Sequence, residues 1–140
     1  MTVSPPKLIT WSDQYSVEVS SIDAQHQKLI GFINDLHAAM AARQGSAVAG
    51  KILNGLVAYT VTHFSFEEGL LATKGYPDLA AHKAEHSKLM ASVKKLQQEF
   101  QEGKITLSLE LMRFLKSWLM DHIAGVDKKY TVHLHAAGVR

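Results

Sequence analysis

The sequence predicts an all-α fold, an up-down-up-down four-helix bundle with an extended N-terminal leader and a short C-terminal tail. Three observations support this prediction. Apolar residues recur at alternating steps of three and four in four stretches, which is the spacing of a buried helix face. Short glycine-containing links separate the stretches, and neither strand-like alternation nor hairpin dipeptides are found. We expect one domain over residues 1–140.

The first predicted helix begins near Ile22, with Ser21 or Asp23 as the expected N-cap. Its seam contains Ile22, His26, Leu29, Ile33, Leu36 and Met40. The second helix is predicted to end at the turn Lys74–Gly75–Tyr76–Pro77. Its seam contains Ile52, Leu56, Tyr59, His63, Phe66 and Leu70.

The third predicted helix has Asp78 as its expected N-cap and ends at Gly103–Lys104. Its seam contains Leu79, His82, His86, Leu89, Val93, Leu96 and Phe100. The fourth runs from about Thr106 through Leu111, Leu115, Trp118 and His122. Because the links are short, neighbouring helices are expected to be antiparallel.

Composition excludes several classes of protein. The 140 residues are 46% hydrophobic and 20% charged, which is ordinary for a globular domain. A net charge of +2 without basic runs gives no stripe for nucleic acid. The sequence contains neither an apolar signal region nor the roughly 18 apolar residues of a membrane span, so we expect no stable membrane insertion and a cytoplasmic location. Without cysteine, any metal must be held by nitrogen and oxygen ligands.

Five histidines and two carboxylates are the main functional signal. In an antiparallel bundle they all lie at one end: His26, His63, Glu67, His82, His86, His122 and Asp127. Two pairs are spaced by four residues and therefore share a helix face. Buried imidazoles without partners each cost a few kcal/mol, roughly. A single seam histidine is usually structural, but seven such donors together predict a site for two metal ions.

The other histidines and one competing motif do not fit this site. His37 faces the same way as His26 but lies about 16 Å further along the helix, so we predict a structural role. His133 and His135 follow the fourth helix and are expected to be solvated or weakly capping. The stretch from His82 to His86 also matches the HxxEH motif of inverted zinc peptidases, with Glu85 as base, but that reading leaves the remaining donors unexplained.

Four segments resemble those of bacterial single-domain hemerythrins. They are WSDQYSVEVSSIDAQHQKL from Trp11, HFSFEEGLL from His63, GYPDLAAHKAEH from Gly75 and WLMDHIAGVDKKY from Trp118. The ordered pattern of one early histidine, HxxxE, HxxxH and HxxxxD is complete, and the resemblance covers nearly the whole chain. Glu18 is a departure, since a small residue is expected at that leader position.

The resemblance implies a non-haem centre of two iron ions with an oxo or hydroxo bridge. One iron is expected to take His82, His86 and His122, and the other His26 and His63. Glu67 and Asp127 are expected to bridge them. Counting ligands leaves one vacant position on the two-histidine iron, where the resemblance implies that O2 binds reversibly.

Three roles follow from this expectation. The first is O2 carriage, storage or delivery to an oxygen-consuming enzyme, without catalysis. The alternatives are an O2 or redox sensor acting through a partner, and a diiron peroxidase or oxidase; iron storage would need more than two irons per chain. An apolar O2 pocket is expected from Leu119, Ile123, Phe64 and Trp118, although ordinary core packing explains each residue equally well.

Two further predictions concern the surroundings of the ligands. Candidates to bind the outer ring nitrogens are Asp23, Gln25, Tyr59 and Tyr130, whereas Glu68 is expected to be solvated. Asp127 follows His122 by five residues, which on a regular helix places it about 140° away from the histidine. We therefore predict irregular backbone between His122 and Asp127, near Gly125.

Overall fold

The computed structural model describes residues 7–106 and 108–140. They form five α-helices: Ser20–Ala41 (α1), Ser46–Thr73 (α2), Leu79–Gln101 (α3), Leu109–Gly125 (α4) and Thr131–Ala136 (α5). Two 3-10 helices span Asp13–Tyr15 and Asp127–Tyr130, and no strand occurs in the described ranges. Helices α1 to α4 form the predicted all-α bundle. None of the described helices is both long and apolar enough to span a bilayer.

Two helices end at the predicted glycines. Gly75 after α2 has a φ of 66° and Gly103 after α3 has a φ of 73°, both in the left-handed region that glycine adopts without a steric cost. The next residue in each case donates its N–H back into the helix, Tyr76 to Leu71 at 2.9 Å and Lys104 to Glu99 at 2.9 Å. These bonds satisfy carbonyls that a helix end would otherwise leave free.

The helix starts differ from the predictions. Val19 occupies the N-cap of α1, so the expected caps Ser21 and Asp23 are both wrong. Asp78 does precede α3, but its side chain makes no capping bond. The fourth helix begins later than Thr106, at Leu109, after Ser108 accepts a hydrogen bond from the N–H of Leu111 at 3.2 Å.

The leader runs antiparallel along α1. Asn34 bonds both the N–H and the carbonyl of Ile9, each at 2.9 Å. Nearer the start of α1, Asp23 accepts hydrogen bonds from Ser16 Oγ at 2.5 Å and from the N–H of Val17 at 2.8 Å. Asp23 therefore fixes the leader instead of capping the helix or reaching a histidine.

Glu18 has a φ of 59°, in the left-handed region. This conformation costs a residue with a Cβ roughly 1 kcal/mol or more, whereas glycine adopts it without that cost.

The segment predicted to be a tail folds onto the bundle as α5, with Leu134 fully buried. His133 donates Nε2–H to the carbonyl of Lys74, the C-cap residue of α2, at 2.7 Å. His135 donates to the carbonyl of Glu18 at 2.7 Å. The predicted capping role is therefore correct for His133, and both histidines hold backbone at the end of the bundle.

The register of the second helix differs from the predicted seam. The predicted seam places Phe66 inside the bundle, but its side chain is 42% exposed, whereas Phe64 is 5% exposed and Glu67 is fully buried. The predicted seam of α1, by contrast, is buried from Ile22 to Leu36. Strict alternation of three and four misplaced Phe66 because α2 uses steps of one and three around His63 and Phe64 to bury Glu67.

Candidate metal centre

All seven predicted residues meet at one end of the bundle. Their exposed fractions are at most 6%: His26, His63, Glu67, His82, His86, His122 and Asp127. The first histidine lies early in α1, the second late in α2, the next two early in α3 and the last late in α4. This convergence requires the alternating helix directions that the sequence predicts.

The side chains form two overlapping groups. One contains Glu67, His82, His86, His122 and Asp127, and the other contains His26, His63, Glu67 and Asp127. Within each group, one nitrogen or oxygen atom of every member lies within 4.8 Å of the others. The two carboxylates belong to both groups, so they lie between a three-histidine half and a two-histidine half.

Each histidine turns its Nε2 atom towards a shared carboxylate. Asp127 lies 3.0 Å from both His26 and His122 and 3.3 Å from His82. Glu67 lies 3.3 Å from His63 and 3.1 Å from His86, and it also contacts His82. Because Nε2 is used in this way, the Nδ1 atoms of His63 and His86 can bind partners outside the cluster.

The backbone changes where Asp127 must face inwards. Helix α4 ends at Gly125, Val126 has φ −113° and ψ −53°, and a 3-10 helix starts at Asp127. This break confirms the predicted irregularity, because a regular helix would turn the carboxylate away from His122.

Three hydrogen bonds support the cluster from outside. His63 Nδ1 lies 2.6 Å from Gln25 Oε1, His86 Nδ1 lies 2.9 Å from Glu68 Oε2, and the Tyr130 hydroxyl donates to Glu67 Oε2 at 3.0 Å. Gln25 and Tyr130 are two of the four residues that the sequence predicts as outer partners of the ligands. Tyr59 instead packs beneath the Lys28 ammonium group, 4.7 Å from its ring centre.

The prediction for Glu68 was wrong. Its side chain is only 27% exposed and bridges from α2 to His86 on α3. Position along α2 alone gives no sign of this contact, because it depends on the spacing between the two helices.

Burial and the carboxylates oppose each other at the histidines. Burial lowers the pKa of His26, but Asp127 at 3.0 Å and Glu67 at 3.8 Å outweigh it and raise the pKa to about 9. At His63 burial dominates and lowers the pKa. Burial opposes ionisation of Glu67, yet the surrounding histidines hold its pKa well below the ordinary value. Burial raises the pKa of Tyr130, so its hydroxyl stays a hydrogen-bond donor at neutral pH.

The cluster fits a metal better than it fits a purely structural role. Several buried atoms lack a hydrogen-bond partner of suitable geometry among the described residues: His26 Nδ1 and Nε2, His63 Nε2, His122 Nε2 and both Asp127 oxygens. Such atoms are costly unless something binds them. Neutral imidazoles with carboxylates are suitable ligands for iron and related metals. Glu85, the base of the peptidase motif, lies outside both groups and pairs with Lys88 at 3.6 Å.

The fold and the cluster together define a four-helix-bundle protein with a buried histidine and carboxylate metal centre. The family model described as Hemerythrin HHE cation binding domain matches residues 17–133. The chain belongs to the hemerythrin family, whose members bind a non-haem diiron centre. Membership supports O2 binding at such a centre in general terms.

Individual relatives agree with this assignment. The chain is 40% identical to a bacteriohemerythrin of Methylococcus capsulatus over 88% of its own length and 94% of the relative. It is 38% identical to one of Stenotrophomonas maltophilia, covering 92% and 83% of the two chains. A myohemerythrin of Riftia pachyptila is 31% identical, covering 96% of this chain and all of the relative.

A solved structure shows the same fold. A crystal structure of wild-type hemerythrin superposes with a TM-score of 0.84 and 39% identity, covering 91% of this chain and 98% of the other. The architecture described above is therefore shared with an experimentally determined hemerythrin.

The stability of the metal-free protein is expected to fall as the pH rises from about 6.5 to about 9. The folded-state pKa of His26 is about 9, above the unfolded value of 6.5. Protonated His26 therefore stabilises the fold fully below pH 6.5, and this stabilisation, up to about 3 kcal/mol, is lost by pH 9. Urea denaturation of chelator-treated protein at pH 6.5, 7.5 and 9 measures the change.

The matched control for this prediction is His26→Gln, in which the pH dependence between 6.5 and 9 should largely disappear. A wild-type protein that is equally stable or more stable at pH 9 would contradict it.

Proposed function

We propose that this protein binds O2 reversibly at two iron ions and serves in O2 carriage, storage or delivery to an oxygen-consuming enzyme. His82, His86 and His122 would hold one ion, His26 and His63 the other, and Glu67 and Asp127 would bridge them. The main support is the pair of groups that share only the two carboxylates. When bound, the iron ions supply the electrons that reversible O2 binding requires.

The unequal halves support a single place for O2. Both carboxylates serve each half, so the difference between the halves is one histidine. The half with His26 and His63 therefore has one ligand fewer, and we assign O2 binding to that half. Among the described residues, no third histidine joins the group that contains His26 and His63.

Apolar packing around the site favours binding over turnover. The Phe64 ring stacks on His86 with centroids 3.8 Å apart and lies 5.8 Å from His63 and 5.9 Å from His122. Leu119 and Ile123 on α4 are 4% and 0% exposed. These side chains would exclude water and so slow the proton entry that turnover needs. Together with Trp118, they are the O2 pocket we propose.

Trp118 and Tyr130 each make a hydrogen bond that fixes part of the proposed site. The Trp118 indole donates Nε1–H to the carbonyl of Leu89 at 3.1 Å and so ties α4 to α3. Tyr130 donates to Glu67 and holds one proposed bridging carboxylate in place. A carboxylate held by an outer hydrogen bond keeps a fixed orientation towards the metal ions it would bridge. A cytoplasmic location remains a prediction from the sequence.

Repeated cycles of O2 and vacuum test the proposal. Iron-loaded protein is reduced without oxygen, exposed to O2 and returned to vacuum while its visible spectrum is recorded. We expect an absorption band that appears with O2 and disappears under vacuum through several cycles, with two irons per chain. A spectrum that changes once and does not return would favour the peroxidase, oxidase or redox-sensor alternatives. Iron binding without any O2-dependent band would contradict O2 binding.

A further inference from the structure

Two proposed ligand histidines, one in each half of the site, donate their outer N–H groups to chemically different acceptors. In the three-histidine half, His86 Nδ1 lies 2.9 Å from a carboxylate oxygen of Glu68. In the two-histidine half, His63 Nδ1 lies 2.6 Å from the amide oxygen of Gln25. The acceptors are similar in size and differ by one negative charge.

Both contacts fix the ring that they touch. His63 and His86 are 1% and 2% exposed, and each turns Nε2 towards Glu67. A hydrogen bond from Nδ1 to an acceptor oxygen places the proton on Nδ1 and leaves the Nε2 lone pair for a metal. Phe64 lies parallel to the His86 ring, at an interplanar angle of 5°, and further restricts its orientation.

The difference in charge matters because Glu68 is partly shielded from water. With 27% of its side chain exposed, its charge is screened less than that of a fully exposed carboxylate. A charged acceptor forms a stronger hydrogen bond than a neutral one and makes the imidazole a more basic ligand. Gln25 orients His63 without adding this effect.

We propose that Glu68 and Gln25 are positioning residues that make the two halves unequal, so that the three-histidine half holds its ion more tightly and favours its oxidised form. The inference rests on the proposed function, because it assigns one metal ion to each half. It adds that the half with the weaker hold is also the half to which O2 binding is assigned. Retention of each ion would then depend on a residue outside the ligand set.

Glu68→Gln and Gln25→Glu test the two sides of the inference. Release of Fe2+ to a chelator is followed under anaerobic conditions, and two phases are expected for wild-type protein. Glu68→Gln should accelerate the slow phase by about 10-fold, because changes to such outer partners weaken metal binding by roughly 10- to 100-fold. Gln25→Glu should slow the fast phase by a comparable factor. Reductive titration should show that Glu68→Gln makes the iron easier to reduce.

Two further variants separate charge from packing. Glu68→Leu removes both the hydrogen bond and the charge. The ion of the three-histidine half should therefore leave this variant faster than it leaves Glu68→Gln. Glu110→Gln removes an exposed carboxylate at the start of α4, outside both groups, and should match wild type. Thermal unfolding of each variant reports whether the fold is intact. A role of Glu68 in packing alone would leave release unchanged in Glu68→Gln.

The outcomes distinguish this inference from the proposed function. The same release assay is run with Co2+ in place of iron, so that its result does not depend on O2 binding. Unchanged release in Glu68→Gln, or an equal change in Glu110→Gln, overturns the inference even if the O2 band is present. Two metals bound without an O2 band overturn the proposed function while the Co2+ data still judge the inference. A wild-type chain that binds no metal overturns both.

Discussion

Glu67→Gln is expected to abolish the two-iron centre and with it all O2-dependent absorption. Glu67 is fully buried and belongs to both groups of potential ligands, so its loss affects both halves together. Glutamine has nearly the same shape but carries no charge, and its amide group would face the Nε2 atoms of His82 and His86, to which the carboxylate is now hydrogen-bonded. Losing an outer partner of a ligand weakens metal binding by roughly 10- to 100-fold. Because Glu67 is itself a proposed ligand, we expect its loss to lower metal affinity by about 100-fold or more.

Iron content after gel filtration and the O2–vacuum spectrum measure this effect. Glu110→Gln is the control, because it removes the same charge at a distance from the site and should retain two irons per chain. Circular dichroism should show that both variants are helical. Two tightly bound irons in folded Glu67→Gln would exclude Glu67 as a bridging ligand.

Replacing His26, but not His37 on the same helix, is expected to cause a large loss of iron and of O2-dependent absorption. His26→Gln should leave at most one iron per chain and no O2-dependent band, because the two-histidine half would keep only His63. His37→Gln should behave as wild type. His37 lies eleven positions later on α1, is half-buried and belongs to neither group. The two substitutions are chemically identical, so helix propensity and loss of an imidazole are matched between them.

Metal analysis at equal protein concentration and O2 spectroscopy distinguish the two variants. We expect His26→Gln to lower the iron affinity of the two-histidine half by about 100-fold or more relative to His37→Gln. This figure is the upper end of the effect of changing an outer partner of a metal ligand. Equal iron contents and equal spectra for His26→Gln and His37→Gln would remove His26 from the site.

The sequence allowed the assembly of the site to be predicted because its spacing and the helix directions are strongly constrained. His63 with Glu67, and His82 with His86, share helix faces at any reasonable register. The direction of each helix then brings all seven residues to one end. Even the break before Asp127 could be predicted, since five positions cannot return a side chain to the same face of a regular helix.

What the sequence did not reveal depends on contacts between elements. Glu68 reaches His86 only because α2 and α3 lie at a particular distance, and a position along one helix does not contain that distance. Asp23 appeared to be a cap because caps are local, but its carboxylate binds the leader across seven and six positions. The folding of α5 was likewise missed, since its partners are backbone carbonyls of Lys74 and Glu18, far away in sequence.

The separation of the proposed ligands along the chain has a consequence for unfolding. Asp127 follows His26 by 101 positions, and the two side chains lie 3.0 Å apart. With ions bound, the centre would act as a cross-link that closes a loop of most of the chain in a protein without cysteine. In the chain-entropy model, a covalent link closing a loop of this length stabilises a fold by about 5 kcal/mol. Loss of iron would therefore remove this cross-link and lower the stability of the whole bundle towards unfolding.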